Sequence, residues 1–245
     1  KEAGIVAGIE EATVLAESLG LTVKTKVSDG TEVKNKQVLM QICGDAQTLL
    51  TVERTMLNLL SRMSGIATAT NKLAQQLKNA KSTAKIAATR KSAPGMLYFD
   101  KKAVILGNGD SHRLHLDDMV LIKDNHIAIA GSALEAVKRA KAKVSFTKKI
   151  EVEVTNIADA LAVAKAGADI VMLDNFSPKQ VKEAVEQLEK AGLQGKVLLE
   201  VSGGINSENL LDYAKAEVDI ISMGAITHSV KALDISLEVT KKIEK

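Results

Sequence analysis

The chain is poor in aromatic side chains, with three Phe, two Tyr and no Trp in 245 residues. There is no basic block either, and the net charge is only +3. A stacking platform for single-stranded nucleic acid needs both features, so nucleic-acid binding is excluded as the main role. The lone cysteine, Cys43, rules out an internal disulfide framework and reads as a buried, inert thiol. No apolar run approaches the roughly 18 residues of a membrane span. The first residues, KEAGIVAGIEE, lack the basic-then-apolar plan of a signal peptide, and they also lack a Met. A cytoplasmic protein is expected, and a chain that lacks its true start. The four His residues have no HExxH-like spacing, which sets a zinc site aside.

Arginine is scarce too: only Arg54, Arg62, Arg90, Arg113 and Arg139 among 33 basic residues. The guanidinium fork binds carboxylate and phosphate in a way Lys cannot imitate, so an Arg in a distinctive context carries weight. Arg62 and Arg139 are read as surface ion-pair partners.

What is present is a rhythm. Residues 1–80 read as short strands and helices, with strand character over 33–43 and one long helical stretch over 45–79. Asp45 is its candidate cap, and Gly65 a candidate break. From about residue 83, apolar segments at 84–88, 119–122, 150–154, 170–173, 197–201 and 219–223 alternate with helix-like stretches at 132–141, 156–166, 178–191 and 206–216. Asn156 and Ser177-Pro178 are start signals for two of these. Such alternation implies a parallel sheet, and six or seven units suit a closed barrel, with a doubly wound open sheet as the other reading. The expected domains are 1–80, an α/β domain, and 81–229, a barrel. A final helix over 230–245 is expected to return to the first domain.

In parallel α/β folds, functional side chains collect at the carboxyl ends of strands. Those ends carry Arg90 and Lys91, then Lys123, then Glu153, then Asp174. His112 and Arg113 precede the strand at 119–122. Ser202-Gly203-Gly204 and Gly224, followed by His228, end the last two strands; small loops leading into helices bind phosphate well. Cations converging on one mouth imply a ligand with several negative groups. Glu153 and Asp174 supply carboxylates for sugar hydroxyls, for Mg²⁺ through water, or for acid–base work. Glu151, two residues before Glu153, is the alternative site carboxylate.

Seven stretches resemble one family: ERTMLNLLSRMSGIAT, TRKSAPGM, LGNGDSHRLHLDDMVLIKDNHI, IEVEV, IVMLDNFSP, LLEVSGGINSENL and ISMGAITHSVKALDISL. Their order and content are similar to quinolinate phosphoribosyltransferases. The resemblance implies an N-terminal open α/β sandwich domain and a small, incomplete TIM-like barrel of six to seven strands. It implies a homodimer or higher oligomer, Mg²⁺, and transfer of phosphoribosyl from 5-phosphoribosyl-1-pyrophosphate to quinolinate with decarboxylation. Arg90, His112, Arg113 and Lys123 then match acceptor-binding positions, with Arg54 given across the dimer interface. Lys91, Glu153 and Asp174 match the ribose-pyrophosphate and metal region. Ser202, Gly203, Gly204, Gly224 and His228 match the 5-phosphate end. Ser92, Asn108, Ser111 and His115 depart from the usual pattern without removing an assigned charge. Three readings compete: a same-fold paralogue associated with molybdenum uptake, a barrel aldolase using Lys123 as Schiff-base nucleophile, and a phosphate-sugar sensor without turnover.

Overall fold

The computed structural model describes residues 1–241. In chain order its elements are β1 (Gly4–Ile5), α1 (Ile9–Ser18), β2 (Thr22–Thr25), β3 (Glu32–Val33), β4 (Met40–Cys43), α2 (Ala46–Asn79), β5 (Lys85–Ala87), α3 (Leu97–Leu106), β6 (Val120–Ile122) and α4 (Asp124–Ala130). They continue as α5 (Ala133–Lys143), β7 (Ile150–Val154), α6 (Ile157–Lys165), β8 (Ile170–Asp174), α7 (Pro178–Lys190), β9 (Leu198–Ser202), α8 (Leu210–Ala214), β10 (Ile220–Ser222) and α9 (Ala225–His228). Two units emerge: residues 1–72 with 92–109 and the chain from 226 on, and residues 73–91 with 110–225. Among the described residues, no helix is long and apolar enough to cross a membrane.

The first unit holds two small antiparallel pairs, β1 with β3 and β2 with β4. The apolar stripe of α1 (Ile9, Ala12, Ala16) meets that of α2 (Val52, Met56, Leu60) around Val6, Leu21 and Val33. Asp45 caps α2, accepting from the Thr48 N–H at 2.8 Å. The helix then runs without the break expected at Gly65. Gly65 has a different reason: a Cβ there would strike the backbone of Lys231 and Ala232. The strand character expected over 33–43 splits in two, because Lys34–Gln37 forms a turn with Lys36 at φ 61°.

Three further expectations fail in this unit. No helix forms over residues 229–241; residues 242–245 lie outside the described chain. Leu233 is buried, and Ile235 and Leu237 pack against the core cluster. That every-second-residue pattern belongs to extended backbone, and it outweighs the helical propensity of the segment. Cys43 is exposed, on the outward side of a two-stranded ladder too small to cover both faces. Arg62 is no surface pair: its guanidinium donates to both oxygens of the fully buried Asp100 at 2.8 and 2.7 Å, and to the Thr227 carbonyl at 2.9 Å. Arg139 does pair as expected, with Glu135 one turn away.

The second unit is the strand–helix repeat. Its six strands pair in the order β5-β10-β9-β8-β7-β6, and every pairing is parallel. Helices α5, α6 and α7 bury small and branched residues at helical spacing: Ala133, Ala136 and Val137; Ala160, Val163 and Ala164; Val181, Ala184 and Leu188. Asn156 and Ser177 cap α6 and α7 as expected, accepting from Asp159 N and Gln180 N. The stretch expected to be helical over 206–216 shrinks to five residues. Asn206 accepts from the Glu208 and Asn209 N–H groups, an alternative to helical bonding.

Candidate active site

Parallel pairing sends every strand's carboxyl end to one rim. Lys123 follows β6, Glu153 lies near the end of β7, Asp174 ends β8 and Ser202 ends β9. The register pairs Glu153 with Met172, Met172 with Glu200, and Asp174 with Ser202. Residues paired side by side share a face, so Glu153 and Glu200 lie on the same side of the sheet, and strand alternation adds Glu151.

Two groupings result. At the rim, Lys123 Nζ donates to Glu153 Oε2 at 2.6 Å. Burial raises the Asp174 carboxyl above its ordinary range, and the neighbouring Glu153 raises it further. A hydrogen bond from Asn175 and the charges of Lys123 and Lys91 oppose this. Asn175 donates to Asp174 Oδ2 at 2.7 Å from a left-handed backbone (φ 57°). Gly203 (φ 99°) is obligatory here, because a Cβ would fall into the Asn175 side chain.

Deeper inside lies a cluster that sequence reasoning only half saw. His112 Nε2 sits 3.2 Å from Glu200 Oε2 and 3.3 Å from Glu151 Oε2. Only the Glu200 contact has hydrogen-bond geometry. Both carboxylates are fully buried, whereas Glu153 is partly open. Burial by itself would lower the His112 imidazole, but the close Glu151 and Glu200 carboxylates outweigh it and push the group up to about 10. Burial raises the Glu151 carboxyl. Arg113 is lowered by burial and by the charge of Arg90.

The apolar β6 thus runs into Lys123, Asp124, Asn125 and His126 for two reasons. Lys123 reaches Glu153, and His126 Nδ1 accepts the Lys123 N–H at 3.0 Å, capping α4.

The second unit therefore carries Arg90, Lys91, His112, Arg113, Lys123, Glu153, Asp174, Ser202, Gly203, Gly204 and Gly224. Arg54, exposed on α2, and His228, at the end of α9, belong to the first unit. A cavity of about 590 Å³ opens toward the amino ends of the strands, between Lys85, Lys149, Ile170 and Leu198, and reaches His112 and Arg113. None of the rim residues Lys123, Glu153 or Asp174 lines it. Glu200 was missed by sequence reasoning, although a Glu inside the apolar LLEVS was its signal: a strand covered on both faces rejects charge unless it is partnered.

Family models for the quinolinate phosphoribosyl transferase N-terminal and C-terminal domains match residues 1–64 and 66–238. A probable nicotinate-nucleotide pyrophosphorylase [carboxylating] of Methanothermobacter thermautotrophicus is 47% identical, over 98% of this chain and 86% of its own. The human nicotinate-nucleotide pyrophosphorylase [carboxylating] is 36% identical, over 99% and 81%. The solved nicotinate-nucleotide pyrophosphorylase of Francisella tularensis superposes with a TM-score of 0.86 at 39% identity, over 95% of this chain and 81% of that one. With both domain models matched in order and these relatives aligned along nearly all of its length, the chain belongs to the quinolinate phosphoribosyltransferase family.

Proposed function

We propose that the protein transfers phosphoribosyl from 5-phosphoribosyl-1-pyrophosphate to quinolinate, releasing pyrophosphate and CO₂ and leaving nicotinate mononucleotide. The observation that carries this reading is the near-complete alignment with enzymes named nicotinate-nucleotide pyrophosphorylase [carboxylating]. The barrel unit adds cations and carboxylates of the types such substrates require. The chain would act in the cytoplasm as a homodimer.

Arg90, His112, Arg113 and Lys123 would take the two acceptor carboxylates, orienting the pyridine nitrogen toward the anomeric carbon. The N–C bond forms as the C–O bond to pyrophosphate breaks, with positive charge developing on the ribose. Glu153 and Asp174 would hold the ribose and favour that charge, and Lys91 would offset the leaving pyrophosphate. The ring nitrogen, now cationic, then stabilises the electron pair left on the adjacent carbon when its carboxylate departs as CO₂. A proton replaces it on the ring.

Glu153 and Asp174 fit Mg²⁺: burial and the neighbouring Glu153 raise the cost of charge on Asp174, and a cation relieves it. Bound there, Mg²⁺ supplies charge to the pyrophosphate. Ser202, Gly203, Gly204, Gly224 and His228 are assigned to the 5-phosphate, and Arg54 to the acceptor of the dimer partner.

The test is to mix protein, quinolinate, 5-phosphoribosyl-1-pyrophosphate and Mg²⁺, and to follow nicotinate mononucleotide and CO₂. Formation of both is expected. Absence of both, with no quinolinate binding, overturns the reading.

A further inference from the structure

Glu200 is a buried charged residue for which the reaction above has no task. It sits in the middle of β9 between Leu199 and Val201, fully buried. An ionised carboxylate there costs several kcal/mol of desolvation, and an apolar residue of similar size is often no worse for folding. Stability alone therefore gives no reason to keep it. Its one hydrogen bond among the described residues joins Oε2 to His112 Nε2, and Oε1 has no partner. Glu151 Oε2, from β7, lies 3.3 Å from the same nitrogen, and neither Glu151 oxygen is hydrogen-bonded among the described residues.

His112 is held from the other side as well. Its backbone is left-handed (φ 53°), and its N–H donates to Asp110 Oδ1 at 2.7 Å. Ser111 Oγ donates to the His112 carbonyl at 3.0 Å. Nδ1 makes no hydrogen bond among the described residues. An imidazole fixed through Nε2 by an anion has one N–H left to give, and the anion favours the form in which both nitrogens carry protons.

We infer that Glu200 is a positioning residue that holds His112 by Nε2, so that Nδ1–H is the donor offered to one carboxylate of the acceptor. The inference rests on the function proposed above for the part that concerns the acceptor. It assigns His112 a share in telling a pyridine dicarboxylate from a monocarboxylate. The groups facing the imidazole are Glu151 from β7 and Glu200 from β9, with Arg113 beside it on its own segment. The same three side chains, His112, Glu151 and Glu200, are also a donor set for a divalent cation, which is the rival explanation of the unpartnered oxygens.

The test begins with the wild-type protein and no substrate. Side-chain ¹⁵N NMR at pH 8 should show His112, assigned by comparison with His112→Gln, as an imidazolium. A neutral ring overturns the clamp. So does stoichiometric retention of Zn²⁺ or Mn²⁺ after dialysis that His112→Gln abolishes. Quinolinate binding is then measured by calorimetry in Glu200→Gln. The Kd should rise about tenfold, a charge-assisted bond having become neutral, while the Kd for 5-phosphoribosyl-1-pyrophosphate stays within about twofold. In the His112→Gln background the same substitution should change quinolinate binding by less than about twofold. An equal loss in both backgrounds overturns the inference, because Glu200 would then act without His112. If wild-type protein binds no quinolinate, the proposed function falls, whereas the NMR result still judges the clamp.

Discussion

Single side chains carry the sharpest consequences. Arg113→Ala should lower turnover at least about 100-fold, with the urea midpoint of unfolding little changed, because Arg113 is half-exposed and its ligand would be the substrate. Steady-state kinetics beside an unfolding curve checks this, and near-normal turnover would count against the site assignment. His112 has a signature in pH. Its folded pKa, about 10, lies above the ordinary 6.5, so its contribution to stability is fully present below pH 6.5. It is lost progressively as pH rises to about 10. Urea unfolding across that range should show a decline in the wild type that His112→Gln lacks, and parallel curves would contradict the assignment. Residue identity alone foretold neither Glu200 nor the preference for Glu151 as the buried partner. In IEVEV both carboxylates share a face, and only the cross-strand packing separates the buried one from the one at the rim.

At the scale of elements, local rules worked where local chemistry was complete. Ser177-Pro178 starts α7 because the hydroxyl accepts from Gln180 N and the proline needs no partner. Ser177→Ala should cost about 1 kcal/mol in chemical denaturation with little change in kinetics. Gly203→Ala should do more harm: the left-handed backbone and the Asn175 side chain both oppose a Cβ. A raised KM for 5-phosphoribosyl-1-pyrophosphate and a lowered melting temperature are the expected pair, and an unchanged KM would detach this loop from the phosphate. The local rules failed over 229–241. There ALDISLEV suits a helix by composition, but its apolar residues alternate, and a core takes them from extended backbone.

For the whole molecule, the decisive test is complementation. If Arg54 serves the partner's acceptor site, Arg54→Ala and Arg113→Ala proteins should each be nearly inactive. Mixed after reversible dissociation, half the dimers are hybrids, and each hybrid regains one intact site of two. About a quarter of wild-type turnover should return. No recovery, with hybrid dimers verified by mass spectrometry, would place Arg54 in its own subunit's site or outside any site.

By itself the sequence determined the strand–helix alternation, the parallel sheet, the caps of α2, α6 and α7, and the residue types gathered at the strand ends. Each follows from periodicity or from a side chain bonding within a few residues of itself, and such information is local. Only the tertiary structure decided that Arg62 grips a buried Asp100 38 residues away, that Gly65 yields to the backbone at 231–232, and that Cys43 faces solvent. It also decided that His112 lies between two carboxylates from β7 and β9. These outcomes depend on which distant surfaces meet. Burial is a property of the packed chain, and the cost of burying a charge selects its partner only once that packing exists.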